Sequence, residues 1–200
     1  MKTVLLDGFC GNHSRMGRMA RTLSDESGHV CQILRYDSSG RTEIGPLGAR
    51  LAESLGDLKE PFHAVGYSMG GLVIREALRQ SPDLPLRRAV FLHTPHRGTW
   101  MGQFLGLPAV RQIRPGSPFL QQLAQATWST PTLNIWCPGD LIVVPGWQAR
   151  WEKATVEECC HVPGHVWPLF SKNMHQRIAI FLKGHPHEST ECGNGSSQNQ

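Results

Sequence analysis

The stretch Phe62-His63-Ala64-Val65-Gly66-Tyr67-Ser68-Met69-Gly70-Gly71-Leu72-Val73-Ile74 decides the fold. Phe62 to Tyr67 is an apolar run of strand length, and Gly70 to Arg79 carries the apolar spacing of a helix. Between them, Gly66-Tyr67-Ser68-Met69-Gly70 matches G-x-S-x-G, the strand-to-helix turn known as a nucleophile elbow. Such a turn is strained, and a side chain at either flanking glycine would clash. Gly71 leaves further room for the helix to approach the sheet. The Met69 amide, at the helix N-terminus, is a ready donor for an oxyanion. The competing reading is a glycine-rich turn with an incidental serine. The strand leading in and the helix leading out favour the elbow.

The same alternation runs outward in both directions. Thr3 to Leu6 reads as a strand ending at Asp7-Gly8, Ser14 to Glu26 as a helix stopped by Gly28, and Val30 to Tyr36 as a second strand. Ile44 to Leu58 is an amphipathic helix. Ala89 to His93 and Thr132 to Cys137 are strands, and Thr155 to His161 is a sixth whose Glu157 and Glu158 suggest an edge or one exposed face. Trp167 to Lys183 closes the chain as an apolar-faced helix. Strands alternating with helices imply right-handed crossovers and a mostly parallel sheet of about six strands, covered by helices on both faces. The fold class is α/β, in one domain over 1–183. Two regions break the rhythm. Pro95 to Thr130, rich in Gly, Pro, Trp and Leu, is too long for an ordinary connection and reads as a short cap or lid insertion, about 96–130. The polar, Gly/Ser/Gln-rich 184–200 reads as a disordered tail.

Bulk properties narrow the partners. With 200 residues the chain can bury a full core, and 40% hydrophobic and 18% charged residues are ordinary for a globular protein. The net charge of +4 is mild and its basic residues are scattered, so no nucleic-acid track is expected. No apolar run reaches the roughly 18 residues of a membrane span. The first residues are too short an apolar stretch for a signal peptide and already read as a strand, so the expected location is cytoplasmic, with secretion after loss of a leader left open. Six cysteines show no metal spacing. Cys10, Cys31, Cys137, Cys159 and Cys160 lie in or beside apolar runs, so free, buried thiols are expected rather than a disulfide framework.

Four blocks resemble the small bacterial lipases and esterases of the α/β-hydrolase superfamily: Leu5-Leu6-Asp7-Gly8-Phe9, Gly66 to Gly71, His93-Thr94-Pro95-His96-Arg97-Gly98, and Arg114-Pro115-Gly116-Ser117-Pro118-Phe119-Leu120. The resemblance spans Val4 to Leu182. It implies a minimal α/β-hydrolase fold, since the first strand matches the family's oxyanion-loop strand and the usual leading antiparallel strands are missing. It also implies partners for Ser68 in the order Ser, acid, His. Asp140, in Pro138-Gly139-Asp140, resembles the acid; Asp7 and Asp37 are rivals, but both precede the serine. His165, in Pro163-Gly164-His165, resembles the base, with His161 the main rival; His175 lies inside the last helix, and His185 and His187 in the tail. For the oxyanion hole the second donor is the Phe9 amide beside that of Met69. The family's His-Gly is Asp7-Gly8 here, and the carboxylate at Asp7 either repels an anion, pairs with Arg15 or bonds the loop backbone. Cys10 beside it reads as a space-filler. His93 stands where the family pattern has glycine and reads as structural packing behind the serine loop. His96 and Arg97 are open between substrate contact and a turn role.

Trp100, Phe104, Leu105 and Phe119, with Leu107, Leu120 and Trp128, give the insertion an apolar character suited to an acyl chain, or to a satellite core beneath a long loop. The expected reaction is carboxylic-ester hydrolysis through an acyl-enzyme, on a small-molecule or lipid ester, with no metal or organic cofactor. The same machinery also suits an acyltransferase or thioesterase. A catalytically silent hydrolase-fold binding protein is the alternative from another class.

Overall fold

The structure, a computed structural model, describes residues 1–11 and 13–184. His185, His187, Cys192 and nearly all of the expected tail lie outside the described residues, as does Asn12. Six strands, β1 (Lys2–Leu6), β2 (Val30–Ile33), β3 (Phe62–Tyr67), β4 (Leu86–Leu92), β5 (Thr132–Trp136) and β6 (Val156–Cys159), form one sheet in the order β2-β1-β3-β4-β5-β6. Every adjacent pair is parallel.

The alternation of side chains along a strand divides the core into two layers. Val4, Leu6, Phe62, Ala64, Ala89 and Phe91 point to one face, covered by α2 (Ile44–Gly56) and α3 (Met69–Gln80). Leu5, Val65, Tyr67, Val90, Leu92 and Ile135 point to the other, covered by α1 (His13–Ser27) and α6 (Lys172–Lys183). The apolar stripes that meet them are Leu47, Leu51 and Leu55 on α2 and Met16, Met19 and Leu23 on α1, spaced three and four apart. β6 is an edge strand. Its Glu158 is buried against Arg177 at 3.0 Å, and its Glu157 meets Arg150 at 2.9 Å.

Three local expectations are corrected. β2 ends at Ile33 rather than Tyr36, because Tyr36 leaves the ladder and donates its hydroxyl to the Asp7 carbonyl at 2.6 Å. The closing helix is two pieces: a 3-10 turn, Trp167–Phe170, then α6, whose N-cap Ser171 accepts the Met174 N–H. Among the cysteines, Cys159 is disulfide-bonded and Cys10 is exposed, whereas Cys137 and Cys160 are free and buried. Cys10 therefore fills no core space.

The 96–130 insertion folds as a 3-10 turn (Trp100–Gln103), α4 (Pro108–Gln112) and α5 (Pro118–Gln125). Ser117 caps α5, which sends Phe119, Leu120 and Leu123 into the α2/α3 side of the core. A buried polar cluster fastens it. Arg75 of α3 stacks on Trp151 at 4.7 Å and donates to His96 Nδ1 and to the Leu123 carbonyl, each at 3.0 Å. Because guanidinium only donates, His96 accepts at Nδ1 and gives its Nε2 proton to Asn134 Oδ1 at 3.1 Å. Burial lowers the Arg75 pKa to about 9. His96 is thus a core residue, and Arg97 pairs with Glu152 on the surface.

Candidate active site

The elbow has the geometry its sequence requires. Ser68 sits between β3 and α3 at φ 51°, a conformation costly for any residue with a side chain. Its amide donates to the Leu92 carbonyl at 2.8 Å, pinning the turn to the end of β4. A Cβ on Gly66 would stand 2.5 Å from Gly71 Cα, and one on Gly70 would stand 2.7 Å from the Leu6 carbonyl oxygen. Only glycine fits at either place.

Three separate loops converge on Ser68. His165 Nε2 lies 2.9 Å from Ser68 Oγ, and His165 Nδ1 lies 2.7 Å from Asp140 Oδ2. A carboxylate only accepts, so Nδ1 carries a proton, and in the neutral ring Nε2 then presents its lone pair to the serine hydroxyl. The other carboxylate oxygen, Oδ1, accepts the amides of Ile142 at 2.8 Å and Val143 at 2.9 Å. The acid and histidine loops are tied by the Gly164 amide, which donates to the Gly139 carbonyl at 3.0 Å. Beneath them the Tyr67 hydroxyl donates to the His165 carbonyl at 3.2 Å. Burial raises the Asp140 pKa, but the bonds from His165 and His93 outweigh it and hold the carboxyl well below its ordinary value.

His93, expected as structural packing behind the serine loop, is buried there at 1% exposure and makes a specific contact as well. Its Nδ1 lies 2.8 Å from Asp140 Oδ2, the same oxygen that His165 engages. The departure from glycine in His93-Thr94-Pro95 was the signal, and its meaning depends on a contact 47 residues away.

The loop after β1 meets the elbow at Gly8, where a Cβ would lie 2.8 Å from that of Ser68. The Asp7 carboxylate is turned onto its own loop: Oδ1 accepts the Gly8 amide at 2.7 Å, and Oδ2 lies 3.4 Å from Arg15 Nε. Two of the three alternatives for Asp7, backbone bonding and pairing with Arg15, hold together. Phe9, Ser68 and Met69 line a largely apolar cavity of about 90 Å³, with Leu105, Val110 and Ile142 among its other walls.

The remaining expected residues scatter. Of the four apolar insertion residues, Leu105 lines this cavity, Trp100 and Phe104 are 55% and 78% exposed, and Phe119 is buried in the core. The insertion is joined to the acid loop: Trp100 N donates to the Val144 carbonyl, and Val144 N to Thr99 Oγ1, each at 3.0 Å. Exposed Trp100, Phe104, Leu105, Leu141 and Ile142 thereby lie on two linked loops beside the cavity. His161 is exposed and lines a different depression with Arg177. Asp37 bonds Ser39 and Thr42, and His175 donates to the Leu169 carbonyl, so none of the three joins Ser68.

Among the described residues, His93, Asp140 and His165 bring metal-ligand atoms within 4.8 Å of one another. Their 2.7 and 2.8 Å separations are hydrogen bonds, shorter than the about 3.3 Å between neighbouring ligands of a tetrahedral zinc. As they stand the three do not fit a metal cage. No helix among the described residues is long and apolar enough to cross a membrane.

No protein-family model matches the chain, and no curated protein matches its sequence. Solved structures do. The propeptide form of the Bacillus licheniformis lipase BlEst2 superposes with a TM-score of 0.78 at 16% identity, over 96% of this chain and 52% of that one. Its mature form gives 0.71 at 17%, over 90% and 89%. A structure from the metagenome-derived lipolytic enzymes LipS and LipT gives 0.72 at 15%, over 92% and 94%. The Legionella pneumophila phospholipase PlaB, in complex with thio-NAD, gives 0.59 at 15% over 68% of this chain, which spans only 38% of that larger protein.

Proposed function

The fold is that of the lipase- and esterase-like α/β-hydrolases, and on it we propose that the chain hydrolyses carboxylic esters through an acyl-enzyme on Ser68. The observation that carries this reading is the unbroken series of contacts from Asp140 through His165 to Ser68 Oγ. Neutral His165 takes the hydroxyl proton as Oγ attacks the ester carbonyl, and Asp140 stabilises the imidazolium that results. The Phe9 and Met69 amides stabilise the oxyanion. His165 then protonates the departing alkoxide as the ester C–O bond breaks, leaving the acyl group on Ser68. Water, activated by the same histidine, releases the acid and restores the serine.

The cavity supports a short acyl group. Its 90 Å³ is far below the roughly 300–1,000 Å³ of a pocket that encloses a drug-sized ligand. A longer chain would continue over the exposed apolar loops around Trp100 and Leu141. Rates across p-nitrophenyl esters from acetate to palmitate test this reading: acetate and butyrate are expected to be turned over fastest. Loss of all ester turnover, with turnover of an acyl thioester retained, would replace it by the thioesterase alternative.

A further inference from the structure

We infer that His93 is a positioning residue for the Asp140–His165 pair: by sharing Oδ2 it fixes the carboxylate and draws off part of its charge, which weakens the hold of Asp140 on the His165 imidazolium. The functional meaning rests on the ester-hydrolase reading, but the contact itself does not.

A triad acid needs one oxygen for its histidine and something to hold the other. Here loop amides hold Oδ1, yet Oδ2 serves two imidazoles, at 2.7 Å from His165 and 2.8 Å from His93. The rings meet edge to face, 5.7 Å apart at 89°. Both Nδ1 atoms are donors because the carboxylate only accepts. His93 is 1% exposed, and its Nε2 has no hydrogen-bond partner. Its polar engagement is therefore with Asp140, and it does not reach Ser68 as a second base. Its backbone stands at φ 50°, a conformation glycine adopts freely and side chains resist. An imidazole held buried and strained at this point needs compensation, which the Oδ2 bond supplies.

The consequence follows from charge. A second donor lowers the electron density that Oδ2 offers His165, so the imidazolium is stabilised less than it would be by an unshared carboxylate. Other titratable or charged groups near the pair are Tyr67 on β3, Cys137 after β5, and Asp7 with Arg15 across the loop after β1. Burial pushes the Tyr67 and Cys137 groups up, and burial pushes His93 down despite Asp140. Asp7 and Arg15 face each other at 3.4 Å.

Three variants separate the donor from the backbone. His93→Asn keeps an N–H near the place of Nδ1 and tolerates positive φ; His93→Gly relaxes the backbone but removes the donor; His93→Leu removes the donor and keeps bulk. The His165 ring titration is followed by NMR, its signal assigned by loss in His165→Gln, alongside kcat/KM against pH on p-nitrophenyl butyrate. Gly and Leu are expected to raise the His165 titration and the acid limb by about half to one pH unit, lowering kcat more than they change KM, while Asn follows wild type. The Gly variant carries the test if Leu does not fold. Wild-type titration in all variants, or an equal shift in Asn and Gly, overturns the inference. A shifted titration in a protein with no ester activity instead overturns the ester-hydrolase reading and leaves the His93 coupling standing.

Discussion

Gly8 and Ser68 approach so closely that a Cβ on the glycine would stand 2.8 Å from the Cβ of the serine. The loop after β1 and the elbow are therefore set against each other with no space between. Gly8→Ala is expected to displace one of them by some tenths of an ångström and to lower kcat at least about 100-fold, as misplaced reacting groups do. Thermal melting run in parallel distinguishes displacement from unfolding. An unchanged kcat in a folded variant would remove this loop from the reaction.

Asp140→Asn places an amide where two imidazole N–H groups donate, favouring the wrong tautomer of His165. A fall in kcat of about 10³- to 10⁴-fold is expected. The same residue sets a stability trend. A carboxyl held below its ordinary value near 3.8 stabilises the fold above that pH, and this contribution is lost as pH falls through the lowered value. The melting temperature of Asp140→Asn should thus lie below wild type at pH 7, with the gap narrowing toward pH 3. A gap that widens on acidification contradicts the assignment.

At Asp7 the acceptor matters more than the charge, since Oδ1 holds the Gly8 amide at 2.7 Å. Asp7→Asn is expected to keep ester turnover within a few-fold of wild type, whereas Asp7→Ala should lose on the order of tenfold to 100-fold as the loop loses its anchor. Equal losses in both would mean that the negative charge itself is required.

The exposed apolar loops make a separate prediction. Trp100→Ser with Phe104→Ser should leave turnover of dissolved p-nitrophenyl acetate unchanged and reduce turnover of an emulsified long-chain ester several-fold. Equal effects on both substrates would mean that these side chains support the fold rather than meet substrate.

Much of this arrangement was readable in the residues. The elbow at Ser68 and the six-strand alternation follow from local pattern, because strand periodicity and glycine placement are properties of neighbours in sequence. Asp140 and His165 were found by order and resemblance, and the structure brings both to the serine. What escaped depended on contacts between distant segments. His93 gains its meaning from a carboxylate on another loop, and His96 from an arginine on α3. Phe119 is open between pocket and core by composition, and the cap at Ser117 turns it into the core. The break before α6 needed the capping geometry of Ser171, which a continuous apolar pattern concealed.

The central claim is that Ser68 is the nucleophile, and covalent labelling tests it most directly. The protein is treated with a fluorophosphonate, its intact mass measured, and the modified peptide sequenced. One adduct per chain is expected, located on Ser68, absent from Ser68→Ala and slowed strongly in His165→Gln. Absence of an adduct in wild type, or equal labelling of Ser68→Ala, would contradict the account.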